Sequence, residues 1–101
     1  MKEKEFEAFL RSDDSIISKT KAISSRVSKV RRIERELGVS LDSIIEDSSA
    51  TYELLLRIKH EMKDTNGNVS NALRKYYEFS NGRRFPTLAE YKKRKELYRE
   101  F

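Results

Sequence analysis

Two pairs of acidic residues and one histidine are the side chains best suited to acid–base or metal chemistry. Asp13/Asp14 and Glu46/Asp47 are adjacent carboxylates, and such a pair can share a proton or hold Mg²⁺. Both pairs lie at predicted helix ends, where carboxylates commonly cap backbone N–H groups. His60 is the only histidine and cysteine is absent. The sequence therefore lacks the ligands of a His-pair or thiolate metal site.

Nucleophilic and nucleotide-dependent chemistry also lack their usual motifs. The three glycines are isolated, so neither GxGxxG nor GxxxxGKS/T can occur. The five tyrosines fall mostly on apolar faces of predicted helices, where packing is their ordinary role. We therefore expect a protein that is not an enzyme and has no cofactor, bound metal or small-molecule substrate.

Unevenly distributed positive charge is the remaining signal. The chain carries 22 Lys/Arg and 17 Asp/Glu, a net charge of +5. Residues 1–50 are balanced at 10 and 10, whereas residues 51–101 carry 12 cations and 7 acids. An excess of this kind permits binding to a polyanion but does not require it.

The first basic surface combines the polar side of a long helix with the beginning of a later one. Cations neutralise phosphates, and Ser or Asn can donate to phosphate oxygens or read base edges. The predicted DNA-binding residues are Lys19, Lys21, Ser25, Lys29 and Arg32 on the earlier helix, beside Arg26, and Asn68, Ser70, Asn71, Arg74 and Lys75 on the later one. The alternative interpretation is an ordinary solvated face.

The second basic surface follows Gly82. It comprises Arg83, Arg84 and the stretch Lys92–Arg99. Seven Lys/Arg and two Glu occur between positions 83 and 99. A charged solvent face of a terminal helix is the alternative interpretation here.

The elements that position these residues are all helical, because apolar residues recur at spacings of three and four and no strict alternation occurs. The fold class is therefore all-α, a compact bundle of four to five helices. Helices are predicted over 3–10, 15–37 and 50–63, the last capped by Ser48 or Ser49, and over 69–80, with one turn at 41–46. Residues 1–82 form the core domain in this prediction, and residues 83–101 form a basic linker and a C-terminal helix packed on or extending from it.

Local signals mark the ends of several helices. Gly38 follows the second helix as a C′ residue, and Asn81-Gly82 ends the helix over 69–80. Thr87-x-x-Glu90 is a capping box for the final helix, and Phe85 can pack on Tyr91 ahead of it.

The sequence also bears on location. No apolar run approaches the roughly 18 residues of a membrane span. The first residues, MKEKEFEAF, are too charged for a signal peptide. The lack of cysteine fits a reducing compartment. We therefore expect a cytoplasmic protein without membrane association.

Four segments in order carry a resemblance to a known family. They are Phe6-Glu7-Ala8-Phe9-Leu10, Ser18-Lys19-Thr20-Lys21, Leu41-Asp42-Ser43-Ile44-Ile45 ahead of Tyr52–Met62, and Asn71-Ala72-Leu73-Arg74-Lys75-Tyr76-Tyr77-Glu78-Phe79. Over residues 3–82 the chain resembles the SAM-like N-terminal core-binding domain of tyrosine recombinases and phage integrases. The resemblance implies duplex DNA as partner, faced by the second helix and the helix over 69–80. The recombinase catalytic domain is absent, so strand cleavage is not expected.

A small protein-interaction module is the alternative. Such a phage or regulatory protein would dock on a partner enzyme through its basic face, since charge complementarity guides protein association as well. Binding that persists without nucleic acid would distinguish it from a DNA-binding module.

Overall fold

Six α-helices make up the described part of this computed structural model, which covers residues 1–14, 16 and 19–99. They are α1 (Glu3–Arg11), α2 (Lys19–Leu37), α3 (Leu41–Ile44), α4 (Ser48–Glu61), α5 (Asn68–Asn81) and α6 (Leu88–Arg99). No strand occurs within these residues, and the predicted all-α class is confirmed. The helices number six, not four to five, because the single turn after Ser40 forms a short helix of its own.

The longest helix, α2, forms the centre of the bundle. Ile23, Val27, Val30 and Ile33 form its buried stripe. Helical spacing predicts an apolar face of this kind, and the structure shows that α2 packs on α1 and α5. The sequence predicted that this helix begins at residue 15. That prediction is wrong for Ile16, which is buried but lies before the helix. Its N–H donates to the carbonyl of Asp13 at 3.1 Å, three residues earlier, and not to the carbonyl four residues earlier that an α-helix uses. Residues 15, 17 and 18 lie outside the described part.

The cap of α4 differs from the prediction. Asp47, not Ser48 or Ser49, is the N-cap residue, and its carboxylate accepts hydrogen bonds from the N–H groups of Ser49 at 2.8 Å and Ala50 at 3.3 Å. A carboxylate at this position also interacts favourably with the helix dipole. One member of the acidic pair Glu46/Asp47 therefore has a structural role.

The beginning of α5 depends on a second carboxylate. Gly67, with φ +77°, is the N-cap residue but offers no side chain. Asp64 instead accepts hydrogen bonds from the N–H groups of Val69 at 3.2 Å and Ser70 at 2.9 Å, and from the Ser70 hydroxyl at 2.8 Å. Burial raises the pKa of Asp64, but these hydrogen bonds outweigh it and hold the pKa below its ordinary value.

Acidification is therefore expected to destabilise the fold through Asp64. A carboxylate whose folded pKa lies below its unfolded value stabilises the protein above the unfolded pKa, about 3.9 for Asp. That contribution is lost as the pH falls through the folded pKa. Urea unfolding of the wild type and of Asp64→Asn should differ most near neutral pH, and the difference should shrink in acid. A difference that stays constant with pH would contradict this role.

An aromatic cluster joins α1 to α5. The ring of Phe6 meets Tyr76 edge-to-face at 5.0 Å and lies 5.7 Å from Phe79. The Tyr76 hydroxyl donates to Asp42 and accepts from the Lys2 N–H at 2.8 Å. The hydrogen bond from Tyr76 lowers the pKa of Asp42. Burial raises the pKa of Tyr76. The buried phenol therefore has both of its hydrogen-bonding needs met.

The last helix packs against α4 and the linker through aromatic rings. Phe85 is buried and lies 5.0 Å from Tyr77 and 5.4 Å from Tyr91. Tyr91 also stacks on Tyr52 of α4 at 4.8 Å. The N–H of Glu90 donates to the Thr87 hydroxyl at 3.1 Å. The predicted Thr87 cap and the Phe85–Tyr91 contact are thus both confirmed.

Candidate nucleic-acid interface

A groove runs between α2 and α5. The two helices are in contact, and the small side chains of Ala22 on α2 and Ala72 on α5 both line the groove. Longer polar side chains form its walls and enclose a volume of about 220 Å³. These wall residues are Ser25, Arg26 and Lys29 from α2, and Asn68 and Asn71 from α5.

The groove continues toward the linker after α5. Arg26 and Asn71 also line this second part, which has a volume of about 260 Å³. Arg74, Lys75, Glu78, Arg84 and Phe85 complete it. We call the two parts together the α2–α5 trough. It is lined by five cations, Arg26, Lys29, Arg74, Lys75 and Arg84, and by one carboxylate, Glu78.

The positive charge of the trough is only partly compensated. Lys29 donates to the Ser25 hydroxyl, and neither Lys29 nor Arg26 forms an ion pair with a carboxylate of the described residues. Some arginines elsewhere on the surface are paired, as Arg31–Glu3, Arg32–Glu36 and Arg57–Glu61. The trough therefore places two cations without a carboxylate partner among the described residues, Arg26 and Lys29, beside amide and hydroxyl groups.

The structure brings together six of the ten residues predicted to bind DNA. Ser25, Lys29, Asn68, Asn71, Arg74 and Lys75 line the trough. Lys21 is exposed on α2 outside it. The remaining three have partners within the protein. Lys19 donates to the Asp13 carbonyl at 2.6 Å, Arg32 pairs with Glu36, and Ser70 bonds to Asp64.

Arg74 holds the linker in place as well as lining the trough. One guanidinium nitrogen donates to the carbonyls of Phe85 at 3.1 Å and Pro86 at 3.0 Å. The guanidinium also lies 5.8 Å from the centre of the Phe85 ring, within cation–π range. Burial lowers the pKa of this guanidinium, which nevertheless stays charged at neutral pH because the ordinary value is so high.

Lys75 is held in an ion-pair network. Its ammonium lies 2.6 Å from a carboxylate oxygen of Asp13 and 3.4 Å from one of Glu78. Its side chain is 19% exposed, so the charge is partly screened from solvent and compensated. Asp13, a member of the first acidic pair, thereby joins the loop after α1 to α5.

The second basic surface meets the trough at the linker. Arg84 and Phe85 line the trough and also a separate cavity beside α6, which Arg83, Arg94 and Lys95 share. Lys92 and Lys93 are exposed outside this cavity, and the side chain of Arg99 lies outside the described part. The sequence predicted two separate surfaces. Phe85 was expected to pack on Tyr91, but its burial also brings the neighbouring Arg84 to the trough, which the sequence did not indicate.

Neither a metal site nor a membrane-spanning helix is found among the described residues. No group of three or more His, Cys, Asp or Glu lies close enough there to hold a metal ion, and His60 is exposed. None of the described helices combines the length and the apolar character needed to cross a membrane. No protein-family model, curated protein or solved structure matches the chain.

Proposed function

We propose that this protein is a non-catalytic DNA-binding module whose α2–α5 trough contacts the phosphates of duplex DNA. One observation carries the proposal, namely five cations and a single carboxylate lining a groove with Asn and Ser at its walls. Phosphate contacts supply most of the affinity of a protein for DNA, and neutral donors fix its orientation on the duplex.

The residues of the trough divide into two roles. Arg26 and Lys29 have no carboxylate partner among the described residues and are the primary phosphate contacts. The side-chain amides of Asn68 and Asn71 are exposed on α5, where they can donate to phosphate oxygens or to base edges. Arg74 and Lys75 add positive charge from positions that the fold already restrains.

The resemblance to the core-binding domain of tyrosine recombinases and phage integrases agrees with this proposal, because it implies the same two helices as the DNA-facing ones. We extend the proposal accordingly to DNA recombination, with the chain supplying DNA contacts and another domain or protein supplying the chemistry. The proposal includes a cytoplasmic location for the protein.

The proposal is tested by a salt titration with a fluorescent duplex. We expect the logarithm of the association constant to fall with the logarithm of the salt concentration with a slope of about −3 to −5, because each neutralised phosphate contributes about −0.9. Arg26→Gln combined with Lys29→Gln should weaken binding about tenfold at low salt and reduce the magnitude of the slope by about two.

The matched control removes two charges elsewhere. Lys4 on α1 and Lys59 on α4 are exposed and line neither part of the trough. Lys4→Gln combined with Lys59→Gln should therefore change binding only slightly. Equal weakening by both double variants would show that binding follows net charge and not the trough. If the duplex does not bind even at low salt, DNA binding is excluded and an acidic protein partner explains the trough better.

A further inference from the structure

The cavity beside α6 combines four cations with an apolar floor. It has a volume of about 440 Å³ and lies among the linker after α5, the first turns of α6 and Ser48 of α4. Arg83, Arg84, Arg94 and Lys95 line it, and none of its lining residues is a carboxylate. The trough, by contrast, includes Glu78. The cavity is therefore the stronger anion site of the two.

Contacts within the protein hold these cations in position. The linker that carries Arg83 and Arg84 is anchored by the bonds from Arg74 to the Phe85 and Pro86 carbonyls. On α6, Arg94 and Lys95 follow the packed Tyr91 by three and four residues, so all three side chains share one side of the helix. The Lys95 ammonium also lies 6.0 Å from the centre of the Tyr52 ring.

The floor of the cavity strengthens its preference for an anion. Tyr77 and Phe85 are buried, and their rings pack edge-to-face at 5.0 Å. Apolar groups beside a charged site reduce solvent screening, so the attraction between the cations and a bound anion increases. The same apolar surface can contact a sugar or a base attached to that anion.

We propose that this cavity binds the terminal phosphate of a nucleic-acid strand. An internal phosphodiester carries one negative charge, whereas a phosphomonoester carries about −1.5 to −2 at neutral pH. Four cations without a carboxylate match the terminal group better. The trough leads to this cavity, since Arg84 and Phe85 line both. The inference rests on the proposed DNA binding. In it, a DNA strand follows the trough and its end lies in the cavity.

The test compares short duplexes that differ only at their ends. Fluorescence anisotropy is measured with a 5′-phosphate, a 3′-phosphate and hydroxyl ends at the same salt concentration. One of the phosphorylated duplexes should bind about tenfold more tightly than the hydroxyl-ended duplex, because charge-assisted hydrogen bonds to phosphate are strong. Equal affinity for all three duplexes would overturn the inference while leaving the trough proposal intact.

Two double variants locate the effect. Arg83 and Arg94 are exposed and line the cavity, so Arg83→Gln with Arg94→Gln should abolish the preference for a phosphorylated end and keep most of the binding to the hydroxyl-ended duplex. Lys92→Gln with Lys93→Gln removes the same charge from α6 outside the cavity and should keep the preference. Loss of the preference in the second variant as well would contradict the assignment to this cavity.

A small ligand tests the cavity independently of the trough. In an NMR titration, a nucleoside monophosphate should shift the backbone amides of Arg83, Arg84 and Arg94, and the corresponding nucleoside should not. This result would support the cavity even if no duplex bound to the protein. Absence of shifts with the monophosphate would show that the cavity does not bind a phosphomonoester and would overturn the inference by itself.

Discussion

Replacing Phe6 with alanine is expected to lower the free energy of unfolding by about 3–5 kcal/mol. The Phe6 side chain is fully buried and is in contact with Tyr76 and Phe79 of α5. Its removal leaves a void beneath α1 and takes away the edge-to-face contact, which is worth more than the buried area alone. The loss is large because α1 meets the bundle chiefly through Phe6 and Leu10, its two buried residues.

Urea unfolding measures this effect, and Phe9→Ala is the matched control. Phe9 lies on the same helix but is only partly buried, with one ring neighbour, Phe79, at 5.6 Å. Its replacement should cost clearly less than that of Phe6. Equal costs for the two variants would mean that the aromatic cluster does not depend on Phe6 as its centre.

Replacing Arg74 with alanine has the second largest expected effect, because it acts on stability and on binding together. We expect a loss of about 2–3 kcal/mol, since hydrogen bonds from a charged group are worth about 1.5–3 kcal/mol. The carbonyls of Phe85 and Pro86 lose their donor, and among the described residues the linker is then held to α5 only by the ring contact of Phe85 with Tyr77. DNA binding should weaken as well, because the trough loses a cation and the linker that carries Arg84 loses two of its hydrogen bonds to α5.

Arg84→Ala separates the two consequences. Arg84 lines the trough and the cavity and is exposed, so its replacement should weaken DNA binding while changing stability by less than about 0.5 kcal/mol. Urea unfolding and anisotropy on both variants provide the comparison. Equal stability of the Arg74→Ala and Arg84→Ala proteins would refute the anchoring role of Arg74. The double replacement of Arg74 and Lys75 is a poor probe of DNA binding, because it also breaks the contacts to the linker and to Asp13.

Most of the helical architecture could be predicted from the sequence because the forces that specify it are local. The buried stripe of α2 follows from the spacing of Ile23, Val27 and Val30. Gly38 and Gly82 adopt positive φ at helix ends, as predicted, and Thr87 caps α6. Each of these features depends on residues within about one turn of one another, the range over which backbone hydrogen bonding and side-chain periodicity act. The all-α class was determined by the sequence for this reason.

The composition of the candidate site was decided by tertiary packing. Lys75 pairs with Asp13, 62 residues away in sequence, and Arg74 bonds to carbonyls 11 and 12 residues away. The sequence shows which residues are cations or amides but not which groups they bond to. Ser70 and Asn71 were therefore both predicted to bind DNA, although the Ser70 hydroxyl bonds to Asp64. Only the approach of α2 to α5 and the burial of Phe85 determine which charges remain unpaired and which groups share a groove. Side-chain pairing between distant segments depends on how the helices pack, and helical periodicity indicates the buried face of each helix but not which helix covers it.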